Sequence, residues 1–271
     1  MMNAFSKDDD AFWGLRLCLA WTFLYLLLPN TWKLISAPMP HGLLQCLLPT
    51  SSIPGYSIVY SILLFTTLSQ YIQKVAPKWS YWGIFLLSTW AVCMEESNGI
   101  HNRNALISWL FLAQAIDATW GKNSSQRALQ YSAQVVAGTY LLSGLSKLFD
   151  AGLSWPIQGQ RIGLQMAKSF HQAWADLLNP EHLQAGMEQL ALLDQYRSFL
   201  PLILTAAFLL ELGAPLALIN GKMMIIIGGL LVAMHLGIFI TMNIFIAPIA
   251  IPMFWVFINP IGRLLSLRRP T

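Results

Sequence analysis

The chain has 271 residues, of which 56% are hydrophobic and only 10% charged, with a mean hydropathy of +0.54. Water-soluble domains carry about 25% charged residues, so an ordinary soluble globule is excluded by composition. The net charge of +4 comes from basic residues scattered through loops and the C-terminus rather than grouped with aromatics, which argues against a nucleic-acid partner.

The pattern predicts an all-α fold: a polytopic transmembrane helix bundle of about eight spans. In lipid every backbone N–H and C=O must be satisfied within its own segment, so long apolar runs are helices. No stretch alternates in polarity as a membrane barrel would. In chain order the runs are 12–29, 55–73, 79–97, 105–120, 129–149, 199–219, 223–241 and 244–258. The last two form one apolar stretch interrupted by Asn243, Pro248 and Pro252, which predicts a bend or break there. Met1–Asp10 lacks the character of a cleavable leader.

Basic residues orient the bundle, because cytoplasmic loops are enriched in Lys and Arg. With both termini cytoplasmic, Lys7, Lys74, Lys78, Lys122, Arg127, Lys222, Arg263, Arg268 and Arg269 fall inside, nine against six outside. Such a chain is expected in a membrane, with membrane lipids as its surroundings. The one long connection, 152–198, mixes Trp155, Ile162, Phe170 and Trp174 with polar residues, and is expected to form amphipathic surface helices between spans five and six. No repeat or second folded domain is visible, so residues 1–271 read as one domain.

This topology brings polar side chains to the non-cytoplasmic end: Glu95, Glu96 and the 98–104 turn with Asn98, His101, Asn102 and Asn104, then Lys147 and Asp150, then His235 and Asn243. Ionisable groups at membrane depth are expensive and face a bundle interior or an aqueous cavity. Tyr140, Gly144 and Lys147 share a helical face by their i, i+4, i+7 spacing. Glycine there suits a close neighbour, while Lys147 reads either as a cation reaching the headgroups or as a base. Glu211 lies deeper, in Phe208-Leu-Leu-Glu211, and must be paired or protonated. Arg16, Gln114 and Gln134 are its expected partners, and a structural clasp and direct chemistry both remain open. Glu95 and Glu96 point about 100° apart on a helix and read as a solvated rim. Cys18, Cys46 and Cys93 make no CxxC pair, and no HxxxH or ExxH spacing suggests a metal site.

The run Tyr140-Leu-Leu-Ser-Gly144-Leu-Ser-Lys147-Leu with Trp155 and Gly159, Glu211-Leu-x-Ala, Met234-His235 with Met242-Asn243, the 98–104 turn and Arg16 together resemble a known family. It is the membrane domain of vitamin K-dependent γ-glutamyl carboxylase, shared with bacterial horizontally transferred transmembrane (HTTM) domain proteins. The resemblance spans essentially the whole chain through short motifs. It implies Lys147 as the base that deprotonates a reduced vitamin K (menaquinol), with His235, Asn98, His101, Asn102, Asn104, Tyr140 and Asn243 around the ligand. Arg16 and Glu211 would serve inside the membrane as structural groups.

Three departures stand out. The chain ends after the bundle, where the carboxylase has a large lumenal region. Trp155 and Gly159 are one residue further apart than in the family, and Arg103 stands in the Asn/His turn. The expectation is therefore base chemistry on a quinol or other lipophilic ligand rather than peptide carboxylation. The alternative is a non-enzymatic membrane partner in the maturation or export of a secreted peptide.

Overall fold

The computed structural model describes residues 7–26, 55–97, 105–121, 125–158, 160–242 and 247–260. Among these residues every regular element is helical. The helices are α1 (Lys7–Leu26), α2 (Tyr56–Gln73), α3 (Pro77–Ser97), α4 (Ala105–Trp120), α5 (Ser125–Ala151), α6 (Gln160–Leu177), α7 (Glu181–Gln195), α8 (Leu200–Leu212), α9 (Gly221–Met242) and α10 (Ala247–Phe257). Over their described residues the apolar runs read from the sequence are helical, the 199–219 run in two pieces, and the 152–198 segment holds α6 and α7 as two further helices. Among the described residues, one helix, α9, is by length and composition long and apolar enough to cross a membrane, and α4, α8 and α10 are shorter apolar helices.

Local chemistry sets the ends. Gly152, at φ +61°, ends α5 in the left-handed conformation that glycine alone adopts without penalty. A 3₁₀ turn, Gly152–Ile157, follows. Asn220 Oδ1 caps α9 by accepting from the backbone N–H of Lys222 (3.0 Å) and Met223 (2.9 Å). The single helix expected over 199–219 is instead divided. Leu212 ends α8, and Gly213-Ala214-Pro215 turns the chain into a second 3₁₀ segment, Ala214–Leu218, because proline removes a donor and crowds the preceding turn. Between α9 and α10 the interruption at Asn243 falls outside the described residues.

The helices group into two compact units, 1–136 with 251–271, and 137–250. The boundaries fall inside α5 and inside α10. In the first unit Phe12, Leu19, Phe23, Leu64, Tyr71, Ile84 and Phe111 are fully enclosed. Threaded through that core is a polar chain. Arg16 Nη1 donates to the Tyr71 carbonyl (2.9 Å) and Tyr71 Oη donates to Gln114 Oε1 (2.7 Å). Gln114 Nε2 then donates to Ser132 Oγ (3.3 Å), whose own proton goes to the Ala128 carbonyl (2.8 Å). Four helices are thereby tied together, and from the Tyr71 hydroxyl through Gln114 to Ser132 each link fixes the orientation of the next.

In the second unit α6 and α7 form a helical hairpin. Phe170 is buried and lies against Gly186, where an added Cβ would stand 2.8 Å from the Phe170 Cβ. Leu164, Leu178 and Met187 remain exposed. The hairpin is amphipathic as expected, but Phe170 belongs to its inner face.

Candidate functional site

Within the second unit, Tyr140, Ser143, Gly144 and Lys147 occupy neighbouring positions along α5. Gly144 is what lets α8 approach: a Cβ there would stand 2.8 Å from Leu212 Cδ2 and 3.2 Å from the Leu212 backbone nitrogen. That contact delivers Glu211, one residue earlier, to the end of α5. Lys147 Nζ donates to both carboxylate oxygens of Glu211 and to Ser143 Oγ (3.3 Å), and Ser143 Oγ lies 3.4 Å from Glu211 Oε2. The Glu211 side chain is 9% exposed and that of Lys147 26%. A carboxylate this enclosed requires a partner, because an unpaired buried charge is strongly unfavourable.

The pair has an aromatic cover. Trp155, on the 3₁₀ turn after α5, places its ring 5.0 Å from Lys147 Nζ, within cation–π range. Its ring also stacks against the buried Phe208 of α8, with centroids 6.0 Å apart and planes at 30°. Phe208 and Glu211 are three residues apart on one face of α8, so the same helix supplies the counter-charge and the support for the cover.

A second couple lies beside the first. Tyr140 Oη is hydrogen-bonded to His235 Nε2 on α9, with ring centroids 5.6 Å apart, and both residues are buried. Tyr140 is within electrostatic reach of Glu211, and His235 of Lys147. His235 Nδ1 is buried without a hydrogen-bond partner among the described residues.

The structure therefore brings Lys147, Tyr140, His235 and Glu211 into one unit. It corrects the expected pairing of Glu211 with Arg16, Gln114 or Gln134: the counter-charge of Glu211 is Lys147. Arg16, in the first unit, is committed to the Tyr71 carbonyl, and its guanidinium carbon lies 5.3 Å from the Phe12 ring centroid. Asn98, His101, Asn102, Asn104, Gly159 and Asn243 lie outside the described residues. Glu96 is exposed as expected of a rim residue, whereas Glu95 is buried at 2% exposure. Asp117 of α4 is buried and has Arg127 Nε 3.7 Å from its Oδ1. Ser143 and Trp155 are the contributors that sequence reasoning did not place in the site. The i, i+4 spacing of Ser143 and Lys147 was a usable signal for the first. Among the described residues no group of three His, Cys, Asp or Glu side chains is arranged to hold a metal ion.

No protein-family model, curated protein or solved structure matches the chain.

Proposed function

We propose that the chain is a polytopic membrane protein of the carboxylase-like, HTTM kind, which performs base chemistry on a quinol or other lipophilic ligand at its non-cytoplasmic face. The observation that carries this reading is an amine clasped by a carboxylate, next to a tyrosine–histidine couple, in an otherwise apolar set of helices. Embedding in lipid is supported by α9, whose most apolar stretch has a mean hydropathy of 2.4 and yet is only 17% buried by the rest of the chain. Ile226, Leu230, Leu236 and Ile240 face outward along it. A soluble protein does not leave a face of that length bare, whereas hydrocarbon covers it without loss. The bias of basic residues toward one side, with both termini cytoplasmic in a bacterial plasma membrane, supports the eight-span arrangement.

The proton route follows from the contacts. Within the pair the proton on Lys147 Nζ passes to a Glu211 oxygen, leaving a neutral amine and a neutral carboxylic acid. The amine lone pair then takes the proton of a ligand hydroxyl: an O–H bond breaks, an N–H bond forms, and the ligand oxygen keeps the electron pair. His235, protonated on Nδ1 when its Nε2 accepts from Tyr140, supplies a hydrogen bond to that oxygen. Lys147 is the base, Glu211 its proton store, His235 the stabilising donor and Tyr140 the residue that fixes the histidine tautomer.

Purification into lipid nanodiscs followed by mass spectrometry tests the reading. The wild-type protein is expected to retain a quinone-type or similar lipophile that the Lys147→Met/Glu211→Leu variant releases at equal folding. Equal retention by both sinks it. The second reading, a partner for a secreted peptide, draws on the exposed Leu164, Leu178 and Met187 of the α6–α7 hairpin. It predicts capture of a secreted peptide that survives the Lys147 change and is lost on changing the partly exposed Trp174.

A further inference from the structure

A serine or threonine inside a helix commonly gives its hydroxyl proton to the carbonyl four residues back. Ser61, Ser132, Ser169, Thr205 and Thr241 all do so here. Ser143 on α5 instead donates to Glu211 Oε2, at 3.4 Å, and accepts from Lys147 Nζ, at 3.3 Å. Ser146 also turns to a carboxylate, that of Asp150, but both residues are exposed, where water competes for the proton. Ser143 is only partly exposed and Glu211 is enclosed, so the hydroxyl can be reached while its acceptor is kept from bulk water.

A hydroxyl with a carboxylate to take its proton and an ammonium beside it has the parts of an acyl-transfer nucleophile. Contacts of this kind are often long before substrate arrives and tighten around it. Depth selects the substrate class. α5 has 27 residues, about 40 Å at 1.5 Å per residue, close to the thickness of a bilayer with its headgroups. Lys147 and Ser143 lie four and eight residues before its last residue, Ala151, and so about 6 and 12 Å from that end. With α5 spanning the bilayer, and a headgroup layer roughly 5–8 Å deep, the two side chains stand at the edge of the hydrocarbon. The ester carbonyls of glycerolipids lie at that edge.

We propose that Ser143 is the nucleophile of an acyl-transfer site and takes a fatty acyl group from the ester of a membrane glycerolipid. Ser143 Oγ attacks the acyl carbon as its proton passes to Glu211. A C–O bond forms, and the carbonyl electron pair moves onto oxygen, where the Lys147 ammonium stabilises it. Collapse breaks the acyl bond to the glycerol oxygen, which takes the proton from Glu211 and leaves as a lysolipid alcohol. Water then repeats the sequence on the Ser143 ester, releasing the fatty acid and restoring the hydroxyl. This chemistry uses the Lys147–Glu211 pair in its charged form, whereas the quinol reading uses the neutral form. The choice of a lipid ester rests on the membrane-spanning reading, and the nucleophilicity of Ser143 does not.

The test treats the detergent-purified full chain with an alkyl fluorophosphonate, which loses fluoride to a nucleophilic serine. Intact-mass spectrometry and peptide mapping are expected to find one adduct, on Ser143, that Ser143→Ala does not form. Glu211→Gln is expected to form it about a hundredfold more slowly, the share of a general base. If Ser143→Ala does not fold, the position of the wild-type adduct and its rate in Glu211→Gln decide the matter. No adduct on the folded wild type, an adduct elsewhere with Ser143 unmodified, or an unchanged rate in Glu211→Gln overturns the proposal. In nanodiscs of a diester phospholipid the untreated chain is expected to generate lysolipid, and in discs of the diether analogue none. Labelling of Ser143 without lysolipid overturns the lipid-ester assignment. Neither readout depends on a retained quinone-type lipophile, so failure of the quinol reading and failure of this one are distinguishable.

Discussion

The two units solve the problem of polar groups in an apolar interior differently. In the first, the Arg16–Tyr71–Gln114–Ser132 chain runs from donor to acceptor and ends on the carbonyl of Ala128, sealed among aromatic side chains. In the second, the Lys147–Glu211 pair keeps its lysine partly exposed. A sealed hydrogen-bonded chain holds helices together, while a partly exposed ion pair leaves its amine within reach of an incoming group.

Mutations that break each arrangement sharpen the contrast. The largest effect is expected from Lys147→Met alone, which strands the enclosed Glu211 carboxylate. Removing one partner of a fully buried pair costs about 3–5 kcal/mol, and the partial exposure of Lys147 reduces this to roughly 2–3 kcal/mol in detergent-phase unfolding. Next is Gly144→Val, which forces α5 and α8 apart at Leu212 and is expected to lose about 1–3 kcal/mol by overpacking, together with any retained ligand. Gln114→Leu, which orphans Tyr71 Oη in the first unit, should lower stability by about 1–2 kcal/mol and leave ligand retention at the wild-type level. A loss of ligand in that variant would erase the distinction between the units. Tyr140→Phe should be the mildest, about 1 kcal/mol, while weakening retention more than its stability loss explains, because His235 is no longer held in one tautomer.

Helix positions were legible because apolar runs bounded by glycine, proline and polar clusters carry their own limits. Gly152 and Asn220 stop and start helices by local chemistry. The break after Leu212 was written in Gly213-Ala-Pro215, but the hydropathy of the flanking residues masked it. The face shared by Tyr140, Gly144 and Lys147 was legible because three positions on one helix need only the helical period. Partnerships were not. Among the charged residues Arg16, Lys147 and Glu211 of the apolar helices, the sequence offers no rule for which acid meets which base. It took the approach of α8 at Gly144 to select Lys147 for Glu211. Burial of Glu95 and the inward turn of Phe170 were hidden for the same reason: which side of a helix is covered depends on neighbours distant in sequence.

The most direct test is a double-mutant cycle on unfolding stability with Lys147→Met and Glu211→Leu. If the two side chains form the pair described, the double variant will be no less stable than the poorer single variant, with a coupling energy on the order of 1–3 kcal/mol. Losses that simply add would mean that the amine and the carboxylate do not meet, and the site built on them would not stand.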